Sequence, residues 1–222
     1  MYRVGVISLV GYRAWTDGLG DDREWIIQSV QSGLHGILSA EAAALGAHAI
    51  PLRYDYMLVL DPGTEPDGVR RIASALAPVA PTPVAVSAAC APTPLEAQAR
   101  ASSSPALYES CAPDPLAAVH MDLDDASSRT RRDSAYGVFE DALRLLCEAS
   151  RRASSLGGLA QYLGGDNVIA FLPLGALREF MEFVEGLEGV KAGVGVHRAP
   201  REAVALAAAN LRRIRSSRRG GR

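Results

Sequence analysis

Val84-Ala-Val-Ser-Ala-Ala-Cys-Ala-Pro-Thr-Pro-Leu-Glu96 and Val190-Lys-Ala-Gly-Val-Gly-Val-His-Arg-Ala-Pro-Arg-Glu202 follow one pattern, with one residue of slack allowed. Each begins as an alternating or small-residue run that suits a strand, turns at a proline, and enters an Ala-rich helix, predicted over 95–100 and 202–215. Two copies of one pattern so far apart indicate a duplicated unit rather than a local coincidence.

Working outward from these copies extends the repeat. Upstream, residues 50–60 and 158–172 each read as two apolar runs around a tight centre. The centres are Arg53-Tyr54-Asp55 and Gly164-Gly165-Asp166, and each pattern predicts a β-hairpin. Further upstream, helical patterns cover 22–45, with Asp21 or Asp22 as N-cap, and 134–153, with Asp133 or Ser134. An apolar strand precedes each helix, at 4–10 and 117–123. Both halves therefore read β-α-β-β-α-β-α, an α+β arrangement predicting tandem ferredoxin-like βαββαβ half-domains with helices on one face of each sheet. Residues 101–115, containing Ser102-Ser103-Ser104-Pro105 and Pro113-Asp114-Pro115, read as a linker. The predicted division is 1–100, 101–115 and 116–222. The alternative is one continuous α/β domain with chance self-similarity.

Composition limits the partners. The 222 residues are 48% hydrophobic and 22% charged, with a formal charge of −2. A charge so near neutral gives no reason to expect nucleic acid or membrane as a partner. No stretch approaches the roughly 20 apolar residues of a membrane span. The basic run 212–222 reads as a solvated tail. Cys90, Cys111 and Cys147 lie far apart with no Cys-x-x-Cys pair, which argues against zinc and against a disulfide framework and places the chain in the cytoplasm.

A duplicated fold lets each half act as a control for the other. The second half carries Asp122-Leu123-Asp124-Asp125 where the first has Ser8-Leu9-Val10-Gly11. It carries Gly164-Gly165-Asp166-Asn167 where the first has Arg53-Tyr54-Asp55-Tyr56, and Lys191 where the first has Ala85. Asp122 ends one strand and Asp166 turns a neighbouring hairpin, so the two can converge. Carboxylates held together repel unless a cation neutralises them. An all-oxygen donor set favours Mg²⁺, which also accepts substrate phosphates as ligands. Gly164 and Gly165 remove side chains where a ligand would lie against the backbone. The amides entering the next helix, through Ala126 and Ser127, can face phosphate oxygens. Each piece has a plainer reading: Gly-Gly-Asp-Asn as an ordinary turn, Asp124 and Asp125 as capping residues, Lys191 as a solvated strand-end charge. Their coincidence at equivalent points of one fold supports a site.

Other residues read as structural. His35, His48, His120 and His197 fall on different elements at no ligand spacing, as packed or surface histidines. Glu182, Glu185 and Glu188 form a solvated helix face, Trp15 and Trp25 read as packing residues, and no Ser-His-Asp or Cys-His set with a nucleophile elbow is present.

Taken together, Gly11-Tyr12-Arg13-Ala14-Trp15-Thr16, Arg53-Tyr54-Asp55, Asp122-Leu123-Asp124-Asp125, Gly164-Gly165-Asp166-Asn167 and Lys191-Ala192-Gly193-Val194-Gly195 resemble archaeal GTP cyclohydrolase III, nearly end to end. The resemblance implies half-domains related to nucleotidyl cyclase palms, and an Mg²⁺-dependent enzyme that opens the guanine imidazole ring of GTP and releases pyrophosphate. The implied product is 2-amino-5-formylamino-6-ribosylamino-pyrimidinone 5'-phosphate, a precursor for flavin and deazaflavin synthesis. On that basis Asp122 and Asp166 are the expected catalytic residues, and together with Asp125 they would hold one or two Mg²⁺ ions. Gly164, Gly165, Asn167, Ser127 and Lys191 are expected at the triphosphate, with Arg53 and Asp55 at the base. A homo-oligomer is the expected assembly. A nucleotidyl or diguanylate cyclase and a non-catalytic GTP-binding regulator are the competing readings of the same residues.

Overall fold

Tyr2–Leu9 (β1) and Leu116–Leu123 (β5) are buried along nearly their whole length, on both faces, and each becomes an inner strand of its own sheet. The fold was established from a computed structural model, which describes residues 1–104 and 106–220. Contacts divide the chain into two units. The first comprises Met1–Pro92 with Glu96–Asp114, and the second comprises Thr93–Leu95 with the chain from Pro115 onward.

In the first unit β1 is followed by α1 (Tyr12–Gly18), α2 (Glu24–Ala44), β2 (His48–Ile50), β3 (Tyr56–Asp61), α3 (Gly68–Leu76) and β4 (Val84–Ala91), with α4 (Pro94–Ser103) after it. The second repeats the order: β5, α5 (Ala126–Arg132), α6 (Ala135–Ser155), β6 (Leu159–Gly164), β7 (Asn167–Pro173), α7 (Leu177–Glu185), β8 (Val190–His197) and α8 (Pro200–Gly220). Both sheets are four-stranded and antiparallel, ordered β2-β3-β1-β4 and β6-β7-β5-β8. The chain is thus an α+β tandem of two ferredoxin-like halves.

One face of each sheet builds a core. Ile7, Leu9, Met57 and Val59 pack against Leu34, Leu38, Ile72 and Leu76 of the first unit's helices. Val119, Met121, Val168 and Ala170 pack against Ala142, Leu145, Ala149 and Phe180 in the second. Each large apolar side chain so buried contributes roughly 1.5–3 kcal/mol.

The expectation of helices on one face holds for α6 and α7 but not for α8. On β8, Val190, Ala192 and Val194 face the core, so Gly193 and Gly195 face the other way, where α8 lies. A Cβ on Gly195 would sit 2.0 Å from the Ala203 carbonyl oxygen, and one on Gly193 would sit 2.2 Å from that of Ala207. These two glycines let the helix backbone rest directly on the strand. Sequence periodicity gives the buried stripe of a helix but not the sheet face it covers.

Two short helices, α1 and α5, were not predicted; each follows a left-handed residue, Gly11 (φ 79°) or Asp125 (φ 54°). Ser134 caps α6 as expected, accepting from the Gly137 N–H at 3.2 Å. Asp21 and Asp22 do not cap α2, whose N-cap is Arg23.

The stretch read as a linker, residues 101–115, packs largely against the first unit. Ala101 is buried, Tyr108 forms a parallel bridge with Ala88, and Cys111 is joined to Cys90 by a disulfide. This corrects the argument from cysteine spacing. A separation of 21 residues carried no signal, because the chain returns along the end of β4 only in the folded state. A cross-link closing a loop of this length is worth about 3 kcal/mol. At the same end of the sheet Arg3 and Asp61 form a buried ion pair at 2.6 Å. Arg3 also donates to the carbonyls of Pro66 and Glu109 at 2.8 and 2.9 Å. Burial raises the pKa of Asp61 in spite of the adjacent Arg3 charge.

Candidate functional site

Backbone hydrogen bonds fix how the two halves correspond. At the end of β1, Leu9 N–H donates to the Asp55 carbonyl at 3.0 Å and Val10 N–H to that of Pro83 at 2.8 Å. At the end of β5, Leu123 N–H donates to the Asp166 carbonyl at 3.3 Å and Asp124 N–H to that of Gly189 at 2.7 Å. In the ladders Ser8 stands opposite Tyr56 and Ala85, and Asp122 stands opposite Asn167 and Lys191. Asp122 therefore matches Ser8, Asp124 matches Val10, Asp125 matches Gly11, Asp166 matches Asp55, and Lys191 matches Ala85. Only Asp55 keeps its carboxylate in the first unit. There it accepts from Arg53 Nη2 at 3.0 Å, and Arg53 also lies over the Tyr56 ring, 5.5 Å from its centroid.

The second unit's residues gather around a cavity of about 420 Å³ lined by Asp122, Asp124, Asp125, Ser127, Asp166, Asn167, Lys191 and Arg215, among others. Asp122 is buried and accepts from both sides. Lys191 Nζ lies 3.1 Å from its Oδ2, Arg215 Nε donates to Oδ2 at 3.1 Å, and Arg215 Nη2 donates to Oδ1. Lys191 Nζ also reaches Asp124 Oδ1 at 2.8 Å. Burial works against the Lys191 ammonium, but its hydrogen bonds to Asp124 and Asp122 outweigh that and raise its pKa.

The hairpin supplies the second carboxylate. Gly165 (φ 61°) sets the tight turn from β6 into β7, a conformation that glycine adopts freely. No atom lies within 4 Å of a Cβ built on Gly164, so the backbone itself requires glycine there (φ 102°). Asn167 Nδ2 donates to Asp166 Oδ1 at 2.8 Å, while Asn167 Oδ1 accepts from His120 Nε2 at 2.9 Å. Burial lowers the pKa of His120, and because an amide oxygen only accepts, Nε2 is the donor in this contact. Burial, and after it the charge of Asp122, raises the pKa of Asp166.

Two carboxylates that face one cavity repel unless a proton or a cation neutralises them. The Asp122–Asp166 pair therefore suits a hard divalent cation. Among the described residues no group of three or more His, Cys, Asp or Glu side chains is arranged as a metal cage. Asp125 holds a left-handed backbone (φ 54°) that costs a non-glycine residue on the order of 1 kcal/mol. It also lines a second cavity, of about 480 Å³, which shares Leu123 and Asp124 and contains Asp141. The Asp141 carboxylate accepts from Arg144 at 2.9 Å and from Arg129.

Of the residues singled out in the sequence, Asp122, Asp125, Asp166, Asn167, Ser127 and Lys191 meet at one cavity. Gly164 and Gly165 form the turn beside it. Arg53 and Asp55 belong to the first unit and pair with each other. Sequence reasoning missed Arg215, hidden in a basic run that looked solvated, and His120, whose only signal was its place two residues before Asp122 on the same strand face.

A family model described as GTP cyclohydrolase III matches residues 4–222. A protein named GTP cyclohydrolase III from Aeropyrum pernix is 36% identical, covering 96% of this chain and 92% of its own length. Its namesake from Pyrobaculum neutrophilum is 34% identical, covering 100% and 98%. One from Saccharolobus islandicus is 29% identical, covering 97% and 96%. Among solved structures, a sensory box/GGDEF family protein from Caulobacter crescentus aligns with a TM-score of 0.36 and 23% identity, covering 46% of this chain and 80% of its own. A bacterial light-regulated adenylyl cyclase aligns with a TM-score of 0.34 and 11% identity, covering 94% and 82%.

Proposed function

We propose that this chain, which belongs to the GTP cyclohydrolase III family, consumes two waters per GTP. One opens the guanine imidazole ring at carbon 8, leaving a formylamino group. The other cleaves between the α and β phosphates and releases pyrophosphate. The product of this reading is 2-amino-5-formylamino-6-ribosylamino-pyrimidinone 5'-phosphate. The observation that carries it is the convergence of Asp122 and Asp166 on one cavity also lined by Lys191 and Arg215. That arrangement can take both a divalent cation and a polyphosphate.

Asp122 and Asp166 would hold Mg²⁺, with Asp125 beside them, and the ion when bound would draw charge from the phosphates and polarise them toward attack. Lys191 offsets triphosphate charge from its place between Asp122 and Asp124. Asn167, anchored by His120, holds the Asp166 carboxylate in one orientation. Ser127 and the backbone at Gly164 and Gly165 border the phosphate path. For the base, a carboxylate beside an arginine matches guanine, which offers two hydrogens on one edge and two acceptors on the other. Arg53 with Asp55, and Arg129 with Asp141, both provide that pair.

The reading requires a GTP-containing compartment, the cytoplasm, and includes assembly as a homo-oligomer, which light scattering on the purified protein measures. The deciding experiment is mass spectrometry with ultraviolet spectroscopy on GTP plus Mg²⁺. A product heavier than GMP by one water, with loss of the purine absorbance and stoichiometric pyrophosphate, is expected. An intact purine spectrum with pyrophosphate release would instead identify a cyclase, and tight GTP binding without turnover a regulator.

A further inference from the structure

We propose that Arg215 is an exchangeable counter-ion: it neutralises Asp122 in the nucleotide-free protein and transfers to the substrate's triphosphate when a divalent cation takes its place. The inference rests on the Mg²⁺–GTP reading above and goes beyond it by giving the site a charge-exchange step. Both oxygens of Asp122 accept from the guanidinium, Oδ2 from Nε at 3.1 Å and Oδ1 from Nη2. A metal ion and the guanidinium therefore compete for the same lone pairs.

The placement of Arg215 makes such an exchange cheap. The first part of α8 is pinned to β8, where Gly193 and Gly195 admit its backbone and Asn210 Nδ2 donates to the Val194 carbonyl at 2.6 Å. Leu211, 1% exposed, is the last buried residue of the helix among those described. Arg215 lies one turn further on, with its side chain 42% exposed against 4% for Asp122. The carboxylate is fixed and the arginine is free to swing. Lys191 is different: its side chain is 12% exposed and tied to Asp124 as well as Asp122, so it stays. Arg215 lines the cavity together with Ser127 and Ser128, so once displaced it remains within reach of a polyphosphate lying there. A guanidinium is suited to both positions, because its planar fork matches carboxylate and phosphate alike.

The test separates this role from a structural one by its sign. Calorimetric titration of the nucleotide-free protein with Mg²⁺ should show Arg215→Gln binding the ion about tenfold more tightly than the wild type, because the competitor is gone. The same variant should show a KM for GTP raised about tenfold or more. Arg212→Gln, which removes an equal charge from the same helix, should move neither quantity appreciably. Unchanged or weaker Mg²⁺ binding by Arg215→Gln, with turnover still Mg²⁺-dependent, overturns the exchange alone. Absence of Mg²⁺ uptake in both proteins, with full turnover of GTP by Asp166→Asn, overturns the metal reading and this inference with it.

Discussion

Lys191 stands directly across the β5–β8 ladder from Asp122, its Nζ 3.1 Å from Asp122 Oδ2 and 2.8 Å from Asp124 Oδ1. One ammonium thus neutralises carboxylates from the end of a strand and from the loop after it. Lys191→Met keeps the stem and removes the charge. The expected result is a ten- to hundredfold loss in kcat/KM for GTP, carried mainly by KM, as for other lost charged partners. Steady-state kinetics at saturating Mg²⁺ check it, and a pure kcat effect would remove Lys191 from the triphosphate.

Asp166→Asn and Asp122→Asn preserve shape while removing one negative charge each. Asp166 is already raised by burial and by Asp122, so Asp166→Asn should leave the thermal midpoint unchanged or higher, whereas Asp122→Asn, which strips the partner from Lys191 and Arg215, should lower it. Turnover should fall by two orders of magnitude or more, with weakened Mg²⁺ binding. Near-normal rates at low Mg²⁺ in both variants would contradict the metal assignment.

Guanine selectivity distinguishes the two base-reading candidates. Asp55→Ala and Asp141→Ala each remove one carboxylate that can accept from the guanine edge. Inosine triphosphate lacks the 2-amino group, so the variant that has lost the base contact should discriminate least between it and GTP. A drop of tenfold or more in that ratio is expected for one variant and little change for the other. Equal ratios in both variants and the wild type would mean that neither aspartate reads the base.

Gly195→Ala tests the seat of α8. The new Cβ would lie 2.0 Å from the Ala203 carbonyl oxygen and 2.5 Å from the Ala207 nitrogen, both backbone atoms that move only with the helix. A destabilisation of about 1–3 kcal/mol is expected from overpacking of this kind. Chemical denaturation measures it. A neutral result would show that the helix can lift from the strand at no cost.

The duplication was legible because it is written in the chain twice. Apolar strands at 4–10 and 117–123, paired hairpin centres at Tyr54 and Gly165, and two strand-turn-helix copies, one in each half, specify local periods and turns. The order of elements follows from these. The same internal comparison picked out Asp122, Asp166 and Lys191, since matched positions of the first half hold Ser8, Asp55 and Ala85. The hydrogen-bond register at both strand ends reproduces that correspondence residue by residue.

What sequence patterns left open are pairings between residues remote along the chain. Arg215 meets Asp122 across 93 positions, Arg3 meets Asp61 across 58, and Cys111 meets Cys90 because the chain turns back along β4. No periodicity encodes such contacts: a charged side chain has the same local signature whether it is solvated or paired. The face chosen by α8 was undetermined for a related reason. An Ala-rich helix can pack on either side of a sheet, and the choice was made by Gly193 and Gly195, whose missing side chains open only one side of β8 to a helix backbone. By itself the sequence determined the repeat and the residues that break its symmetry. The tertiary structure decided which charges neutralise one another, because that depends on how far apart the folded backbone leaves them.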